Sequence, residues 1–448
     1  MSTKLRFAPS PTGKLHVGNT RTALINWLFC KKTNGSFMLR MDDTDQERSK
    51  DIYRKAIEED LSWLGLNWDV FMKQSDRQTL YHETADKLKN LGRLYPCYET
   101  PEELDLKRKV QLSKGQPPIY DRESLNLTKQ QISDFEKDGR KPHWRFKLDN
   151  NKNIHWKDLV RGPVDFETKK LSDPVLIRAD GTPLFTLTTV VDDLETEMTH
   201  IFRGEDHVAN TAIQIQIFEA LGKHLPEFGH FPLLTDHKGY GLSKRIGSLG
   251  ISDLKEQGIL PISLIGFLAH LGTNTADDGY SSLEEIASIF DVKAFGRAAP
   301  KFDPKELEKV NEKRIQHISY QEIRDKIESL IPQNPEVCIE KLWHVVQTNI
   351  KKIEDIMYWY KVCADPNIQF YNDNIEYLNT AKDLLPDTPW NEETWGKWIQ
   401  NIKEKTGKKG KDLFMPLRMA LTGKTEGPEI KKLLPLINRS VALRRLGI

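Results

Sequence analysis

Apolar positions along the 448-residue chain change period at defined places. Leu5 to Ala8 is a short extended run that Pro9, Pro11 and Gly13 interrupt, because proline fixes φ and glycine opens conformations other residues avoid. From Thr20, the residues Ala23, Leu24, Trp27 and Leu28 recur at helical spacing, which predicts a buried helix face beginning just after Gly18. Phe37 to Met41 predicts a second strand. Helices follow around Ile52 to Leu64 and Tyr81 to Leu91, with Ile52, Ala56, Ile57, Leu61 and Leu64 on one stripe. This alternation is half of a doubly wound parallel sheet.

Around Tyr95 the texture changes. Residues 97 to 180 mix charged stretches, a Gly115-Gln116-Pro117-Pro118 loop and short alternating runs such as His143 to Leu148, which predict an inserted α+β module. The sheet is expected to resume with strands at Leu184 to Val191 and Thr199 to Phe202, before a helix bearing Ala212, Ile213, Ile217 and Leu221. Ile262 to Leu271 and Leu283 to Phe290 read as further helices, and Asp303 is placed to cap one whose first position is Pro304. From about residue 320 the stripes are helical, as in Ile323, Ile327, Ile331 and Leu413, Leu417, Leu421, with little strand signal.

Composition bounds the function. Length favours about three domains. Apolar residues make up 38%, and no apolar run approaches the ~20 residues that span a bilayer. The N-terminus has no signal-peptide core, so a cytoplasmic location without membrane attachment is expected. Cys30, Cys97, Cys338 and Cys363 are too scattered for a disulfide framework or a close metal pair. The net charge of +1 argues against a nucleic-acid coat protein, yet residues 401 to 448 hold twelve Lys/Arg against four Asp/Glu. That basic end suits either a phosphate backbone or a solvated helical face.

Candidate chemistry begins at the first loop. His16-Val17-Gly18-Asn19 sits where a strand gives way to a helix, and a helix N-terminus offers N–H groups and partial positive charge to an anion. Alone, this reads as an ordinary βα turn with a satisfied histidine. Far downstream, Gly241-Leu242-Ser243-Lys244-Arg245 alone reads as a solvated basic loop. Acidic or mixed-charge clusters also close two predicted strands: Asp42-Asp43-Thr44-Asp45 and Arg203-Gly204-Glu205-Asp206-His207. Carboxyl ends of parallel strands are where open α/β sheets bind ligands.

Taken in this order, the two loops resemble the paired nucleotide-binding signatures of class I aminoacyl-tRNA synthetases. Arg-Phe-Ala-Pro-Ser-Pro-Thr-Gly (6 to 13), Leu-Arg-Met-Asp-Asp-Thr-Asp (39 to 45), Val-Val-Asp-Asp (190 to 193), Ile-Phe-Arg-Gly-Glu-Asp-His (201 to 207) and Leu-Phe-Met-Pro-Leu-Arg (413 to 418) narrow the likeness to bacterial glutamyl-tRNA synthetases over essentially the whole chain. The resemblance implies a multidomain α/β fold: a Rossmann-like catalytic domain in two halves (1–95 and 183–235), an inserted acceptor-end-binding domain (96–182), a stem-contact domain with the Ser-Lys loop (236–320) and an all-α anticodon-binding domain (321–448). It implies ATP-dependent transfer of L-glutamate to tRNA-Glu through a glutamyl-adenylate, with Mg²⁺ on the ATP.

Residue by residue, the resemblance gives catalytic roles to His16, Asn19 and Lys244. It assigns ATP to His16, Gly18, Asn19, Ser243, Lys244 and Arg245, and glutamate to Arg6, Ala8, Ser10, Asp42, Phe185, Thr189 and Arg203, with Arg203 facing the γ-carboxylate. A monomer is implied. Some relatives bind zinc in the insertion through closely spaced cysteines; here Glu99 stands two residues after Cys97, so no zinc is expected.

Three positions depart from the pattern. Asp42 stands where many bacterial glutamyl enzymes have glutamate, Phe185 and Thr189 where a tyrosine and often another residue line the pocket, and Gly241 replaces the first lysine of the second loop. Alternatives in the family are a glutaminyl enzyme, disfavoured by the helical end, and misacylation of tRNA-Gln with glutamate for a partner amidotransferase. Others are the truncated tRNA-Asp-modifying relative, which lacks an anticodon domain, and a non-catalytic tRNA-binding paralogue. Outside it, a small-molecule nucleotidyltransferase would leave the basic end unexplained.

Overall fold

The computed structural model describes residues 2–222, 224–242, 250–275, 279, 282–332, 335–368, 370 and 374–447. The chain divides into two units, Met1–Leu254 with Leu264–Asp303, and Lys255–Ser263 with Pro304–Ile448.

The first unit opens with β1 (Lys4–Phe7), α1 (Val17–Lys32), β2 (Ser36–Met41), α2 (Asp51–Trp63), β3 (Val70–Lys73) and α3 (Gln78–Asn90). The three strands form a parallel sheet in the order β1-β2-β3. β2 is almost wholly buried, as expected of a strand covered on both faces. The α2 stripe holds at Ile57, Leu61 and Leu64, but Ile52 is 70% exposed in the first turn and does not belong to it.

The insertion contributes β4 (Leu94–Cys97), α4 (Pro101–Ser113), α5 (Lys129–Lys137), β5 (His143–Phe146), β6 (Ile154–Asp158), β7 (Gly162–Phe166) and β8 (Val175–Ile177). Strands β4, β5 and β8 make an antiparallel sheet, and β6 and β7 an antiparallel hairpin. The alternating burial of β6 (Ile154, Trp156 and Asp158 in; His155 and Lys157 out) is the period-2 pattern of a half-covered hairpin.

The chain then forms α6 (Phe185–Glu195), β9 (His200–Gly204), α7 (Val208–Leu221) and β10 (Glu227–Phe231), with β9 and β10 parallel. The expected strand at Leu184 to Val191 is therefore wrong: Leu184 is the N-cap and Phe185 to Val191 are helical. Their Thr and Val content favours a strand, but Leu187, Val190, Val191 and Leu194 recur at i, i+3, i+4 and i+7 and are all buried in the core shared with α7 residues Ile215 and Phe218. Burial at helical period overrides propensity here. The halves of the nucleotide fold meet where the Lys4 backbone exchanges hydrogen bonds with Thr199, at 2.8 Å to its hydroxyl and 3.1 Å from its N–H. The two predicted later helices are present at Pro261–His270 and Leu283–Ile289, and a helix starts at Pro304 as read from the sequence.

The second unit is helical from Pro304 onward, including Tyr320–Leu330, Glu392–Thr406 and Lys411–Thr422. Its core gathers Ile323, Ile327, Leu413, Leu417 and Leu421 with the fully buried Trp343 and Trp398. Part of its basic surplus is structural: Arg445 is buried and donates to the carbonyls of Val362 and Leu421, and Arg418 donates to that of Pro428. Lys403, Lys405, Lys409 and Lys411 remain exposed. Among the described residues no helix is long and apolar enough to cross a membrane.

Candidate active site

A cavity of about 630 Å³ lies at the carboxyl ends of β1, β2 and β9. One wall is the loop after β1. Asp42 N–H donates to the Pro9 carbonyl (3.0 Å) and Lys50 N–H to that of Pro11, so the proline-rich loop folds back over the end of β2. Arg6, Ala8, Ser10, His16, Gly18, Asn19, Asp42, Phe185 and Arg203, widely separated in sequence, all line this space. Thr189 does not reach its lining. Its side chain is buried on α6, and its hydroxyl has no hydrogen-bond partner among the described residues.

His16 is the N-cap of α1, which starts at Val17 rather than after Gly18. Its Nδ1 accepts from the N–H groups of Gly18 (3.1 Å) and Asn19 (3.4 Å). This corrects the expectation that these N–H groups are free for an anion: the imidazole uses them. Because Nδ1 accepts and burial lowers the pKa, the ring is neutral and carries its proton on Nε2, a donor available to a ligand. A Cβ at Gly18 would come within 3.0 Å of the His16 ring, so glycine here makes room for the imidazole.

Ser243, Lys244 and Arg245 lie outside the described residues. Their flanks lead to the same place: Gly241 and Leu242 line the cavity, and Gly250 forms a bridge with His16 while Ile251 N–H donates to the Leu15 carbonyl.

Beneath the cavity floor lies a lattice of buried charges. Arg6 binds Asp193 through Nε and Nη2 (3.0 and 3.2 Å). Arg40 binds Asp42 through Nε and Nη2 (2.7 and 3.2 Å) and Asp193 through Nη1 (2.8 Å). Asp192 accepts from Gln74, Arg77 and Tyr81. Burial pushes Asp193 up, but Arg6 and Arg40 together bring it below the ordinary carboxylate range. Asp42 goes the other way, to about 6, because burial outweighs its pairing with Arg40. Arg40, Asp192 and Asp193 are components the sequence reading did not assign. A double aspartate inside the apolar run Thr-Val-Val-Asp-Asp-Leu was the available signal, since carboxylates are rarely buried without partners.

Arg203, at the end of β9, is buried and has no carboxylate partner within salt-bridge distance among the described residues. Its Nη2 donates to Thr211 (2.5 Å) and to Gln214 (2.7 Å), while Nη1 has no partner among the described residues. Burial and the nearby Arg6 lower its pKa to about 9. Phe185, at the first turn of α6, packs its ring at 5.7 Å from that of His207, which burial and Arg203 keep neutral.

In the insertion, Cys97, Glu99 and His143 bring their ligand atoms within 4.8 Å of one another. His143 escaped a reading that counted cysteines alone. The Glu99 carboxylate already accepts from the hydroxyls of Tyr120 (2.6 Å) and Ser124 (2.8 Å). Burial raises the Cys97 thiol pKa and lowers that of His143 to about 4.

The family model for the class I tRNA synthetase (E and Q) catalytic domain matches residues 2–309, and that for an anticodon binding domain matches 325–448. A glutamate–tRNA ligase of Azospirillum brasilense is 50% identical over 448 residues, covering 100% of this chain and 99% of its own. A glutamate–tRNA ligase 1 of Rickettsia bellii is 48% identical, covering 98% of each. A crystal structure of a glutamate tRNA ligase from Elizabethkingia meningosepticum, in complex with its amino acid, superposes with a TM-score of 0.86 at 27% identity, covering 100% of this chain and 98% of that one. With the charge lattice, the capped loop and the helical second unit all falling inside these matches, the chain belongs to the class I aminoacyl-tRNA synthetases of the glutamyl and glutaminyl group and carries a helical anticodon-binding domain.

Proposed function

We propose that the protein is a glutamate–tRNA ligase. It activates L-glutamate with ATP as glutamyl-adenylate and passes the glutamyl group to the 3′ end of tRNA-Glu. The observation that carries the choice of amino acid is Arg203, a buried guanidinium that lines the cavity and, among the described residues, has no hydrogen-bond partner at Nη1 and no carboxylate within salt-bridge distance. A γ-carboxylate completes it; a carboxamide leaves the charge unpaired in a low-dielectric site.

Around it, Arg6, Ala8, Ser10 and Asp42 hold the α-amino and α-carboxylate groups, with Phe185 lining the pocket and Thr189, buried on α6, outside its lining. Neutral His16 donates from Nε2, and with Gly18, Asn19, Ser243, Lys244 and Arg245 it binds ATP. Lys244 supplies positive charge to the phosphates, and Mg²⁺ arrives with the nucleotide. Neither step needs a covalent enzyme intermediate: the groups orient the reactants in line and offset developing charge.

The working division is a catalytic domain of 1–95 and 183–235, an acceptor-end insertion of 96–182, a stem-contact segment of 236–320 and an anticodon-binding domain of 321–448, acting as a cytoplasmic monomer. The test is aminoacylation with labelled glutamate on purified tRNA-Glu and tRNA-Gln side by side. Charging of tRNA-Glu, with glutamine rejected, is expected. Charging of tRNA-Gln would assign the protein to a route completed by an amidotransferase, and charging of neither would leave only tRNA binding.

A further inference from the structure

Arg203 is held by more than its immediate neighbours. Its Nη2 donates to the Thr211 hydroxyl at 2.5 Å, Thr211 Oγ1 lies 2.8 Å from His230 Nε2, and His230 Nδ1 lies 2.5 Å from Asp158 Oδ2. All four side chains are buried, His230 and Thr211 completely. Asp158 ends β6 of the insertion, His230 lies on β10 and Thr211 on α7, so three elements converge on one guanidinium.

Donor and acceptor capacities fix the direction of the chain. The Asp158 carboxylate accepts, so His230 carries its proton on Nδ1 and Nε2 is a lone pair. The Thr211 hydroxyl has one hydrogen and two acceptors in reach, His230 Nε2 at 2.8 Å and the His207 carbonyl at 3.2 Å. Donation to the shorter partner leaves the hydroxyl oxygen to accept from Arg203. Arg203 Nε approaches the same His230 Nε2 at 3.4 Å, which also requires a lone pair there. Asp158 is itself anchored: Oδ1 accepts from the N–H groups of Val160, Arg161 and His230, and the Trp156 indole donates to Oδ2.

We propose that Asp158, His230 and Thr211 form a positioning relay that orients Arg203 so that its Nη1 edge faces the substrate's side-chain carboxylate, making them specificity-determining residues for glutamate. The relay rests on the glutamate-binding reading of Arg203 given above. The chain engages Nη2 and the Nε side and, among the described residues, leaves Nη1 open; Gln214 is a second acceptor for Nη2, so loss of a relay link leaves the guanidinium held at one point and able to turn toward Asp193 or solvent. A buried His–Asp pair whose role is only to satisfy the core would have no reason to terminate on a cation with an open edge in the cavity.

Two variants interrupt the relay without changing volume much. Thr211→Val deletes the hydroxyl. Asp158→Asn keeps its Oδ1 contacts to three backbone N–H groups, so its NH₂ must face His230 Nδ1, forcing the proton to Nε2, where it opposes Arg203 Nε–H. Wrong-tautomer effects of this kind are known to disable histidine relays. Both variants should raise the KM for glutamate about 10- to 100-fold, the range for losing a hydrogen bond to a charged group, with the KM for ATP within about twofold. Thr211→Ser, which keeps the hydroxyl, should recover most of the loss.

Thermal unfolding of each variant establishes that it folds, and Arg203→Gln is measured alongside. If Arg203→Gln raises the glutamate KM while Thr211→Val and Asp158→Asn do not, the relay is refuted and the reading of Arg203 stands. Equal increases in both KM values would also refute it, since a merely structural role predicts general damage. If Arg203→Gln itself leaves the glutamate KM unchanged, the reading of Arg203 fails and the relay falls with it.

Discussion

Arg203→Gln should move stability and activity in opposite directions. In the free protein the guanidinium is buried with no carboxylate within salt-bridge distance among the described residues, and burial plus Arg6, only partly offset by Asp193, Asp206 and Asp158, bring its pKa down to about 9. One decade of proton affinity is about 1.4 kcal/mol, so holding this charge is unfavourable by a few kcal/mol. The sign follows from linkage: a cation with a lowered folded-state pKa destabilises the fold fully below about pH 9, and the penalty fades as pH rises from there toward the ordinary arginine range. Glutamine removes the charge while still bonding Thr211 or Gln214, so after the lost hydrogen bonds the ligand-free variant should be more stable near neutral pH by on the order of 1–2 kcal/mol. Activity falls, because the γ-carboxylate loses a charge-assisted partner; kcat/KM for glutamate should drop about 10²- to 10³-fold, with ATP saturation little changed. Thermal unfolding with and without glutamate reads both effects. At 100 times its Kd, glutamate should stabilise the wild type by about 2.7 kcal/mol and the variant hardly at all. A variant that is less stable without ligand and still stabilised by glutamate would refute the reasoning.

Asp42, with a pKa near 6, must be ionised to hold an α-ammonium, so kcat/KM for glutamate should fall about tenfold per pH unit below about 6; kcat should hold to lower pH, since the bound ammonium favours the carboxylate, and a flat kcat/KM profile down to about pH 5 would remove Asp42 from the site. Gly18→Ala places a methyl 3.0 Å from the His16 ring; the ring must shift by a few tenths of an ångström, so turnover should fall roughly 10-fold. Stability changes there by under about 1 kcal/mol, because the gain in helix propensity offsets a weakened cap, as denaturant unfolding would check. Lys244→Ala should slow glutamate activation by about 10²-fold or more in pyrophosphate exchange with tRNA present, and unchanged turnover would exclude Lys244 from the phosphate site.

Residues that line the cavity were legible through the ordered motifs they belong to, since alone a histidine before a glycine at a strand-to-helix turn reads as an ordinary turn and an arginine at the end of a strand as a sheet-edge salt bridge. Arg6, His16, Asp42, Phe185 and Arg203 duly line one cavity. What the sequence concealed depends on tertiary convergence. Asp158 and His230 are 72 positions apart, and neither sits in a segment whose pattern differs from an ordinary strand. The Leu184 to Val191 segment was misread because its β-branched residues speak for a strand, while the helical period of its buried positions carries less weight in a short window. The His16 cap was missed because a helix N-terminus looks the same in sequence whether a ligand or its own first side chain fills it.

The charge lattice also explains how a polar cavity can discriminate between two amino acids of nearly equal shape. Each of Arg6, Arg40 and Arg77 has a carboxylate of its own within the lattice: Asp193, Asp42 and Asp192 respectively. Such pairs contribute little net stability once desolvation is counted, but breaking one is severe, so they are rigid in composition. Arg203 stands outside this pairing, and His207 beside it stays neutral. Arg203 thus shares with Arg21 the position of a buried cavity-lining arginine without a carboxylate partner among the described residues, and it is held there by uncharged acceptors, Thr211, Gln214 and His230. An amino acid with a side-chain carboxylate gives Arg203 a direct ion-pair partner, and a carboxamide of the same size leaves it with uncharged partners and the longer-range pull of Asp193, Asp206 and Asp158. Discrimination by direct ion pairing at Arg203 needs no steric exclusion, which is consistent with the half-exposed Phe185 at the pocket's edge.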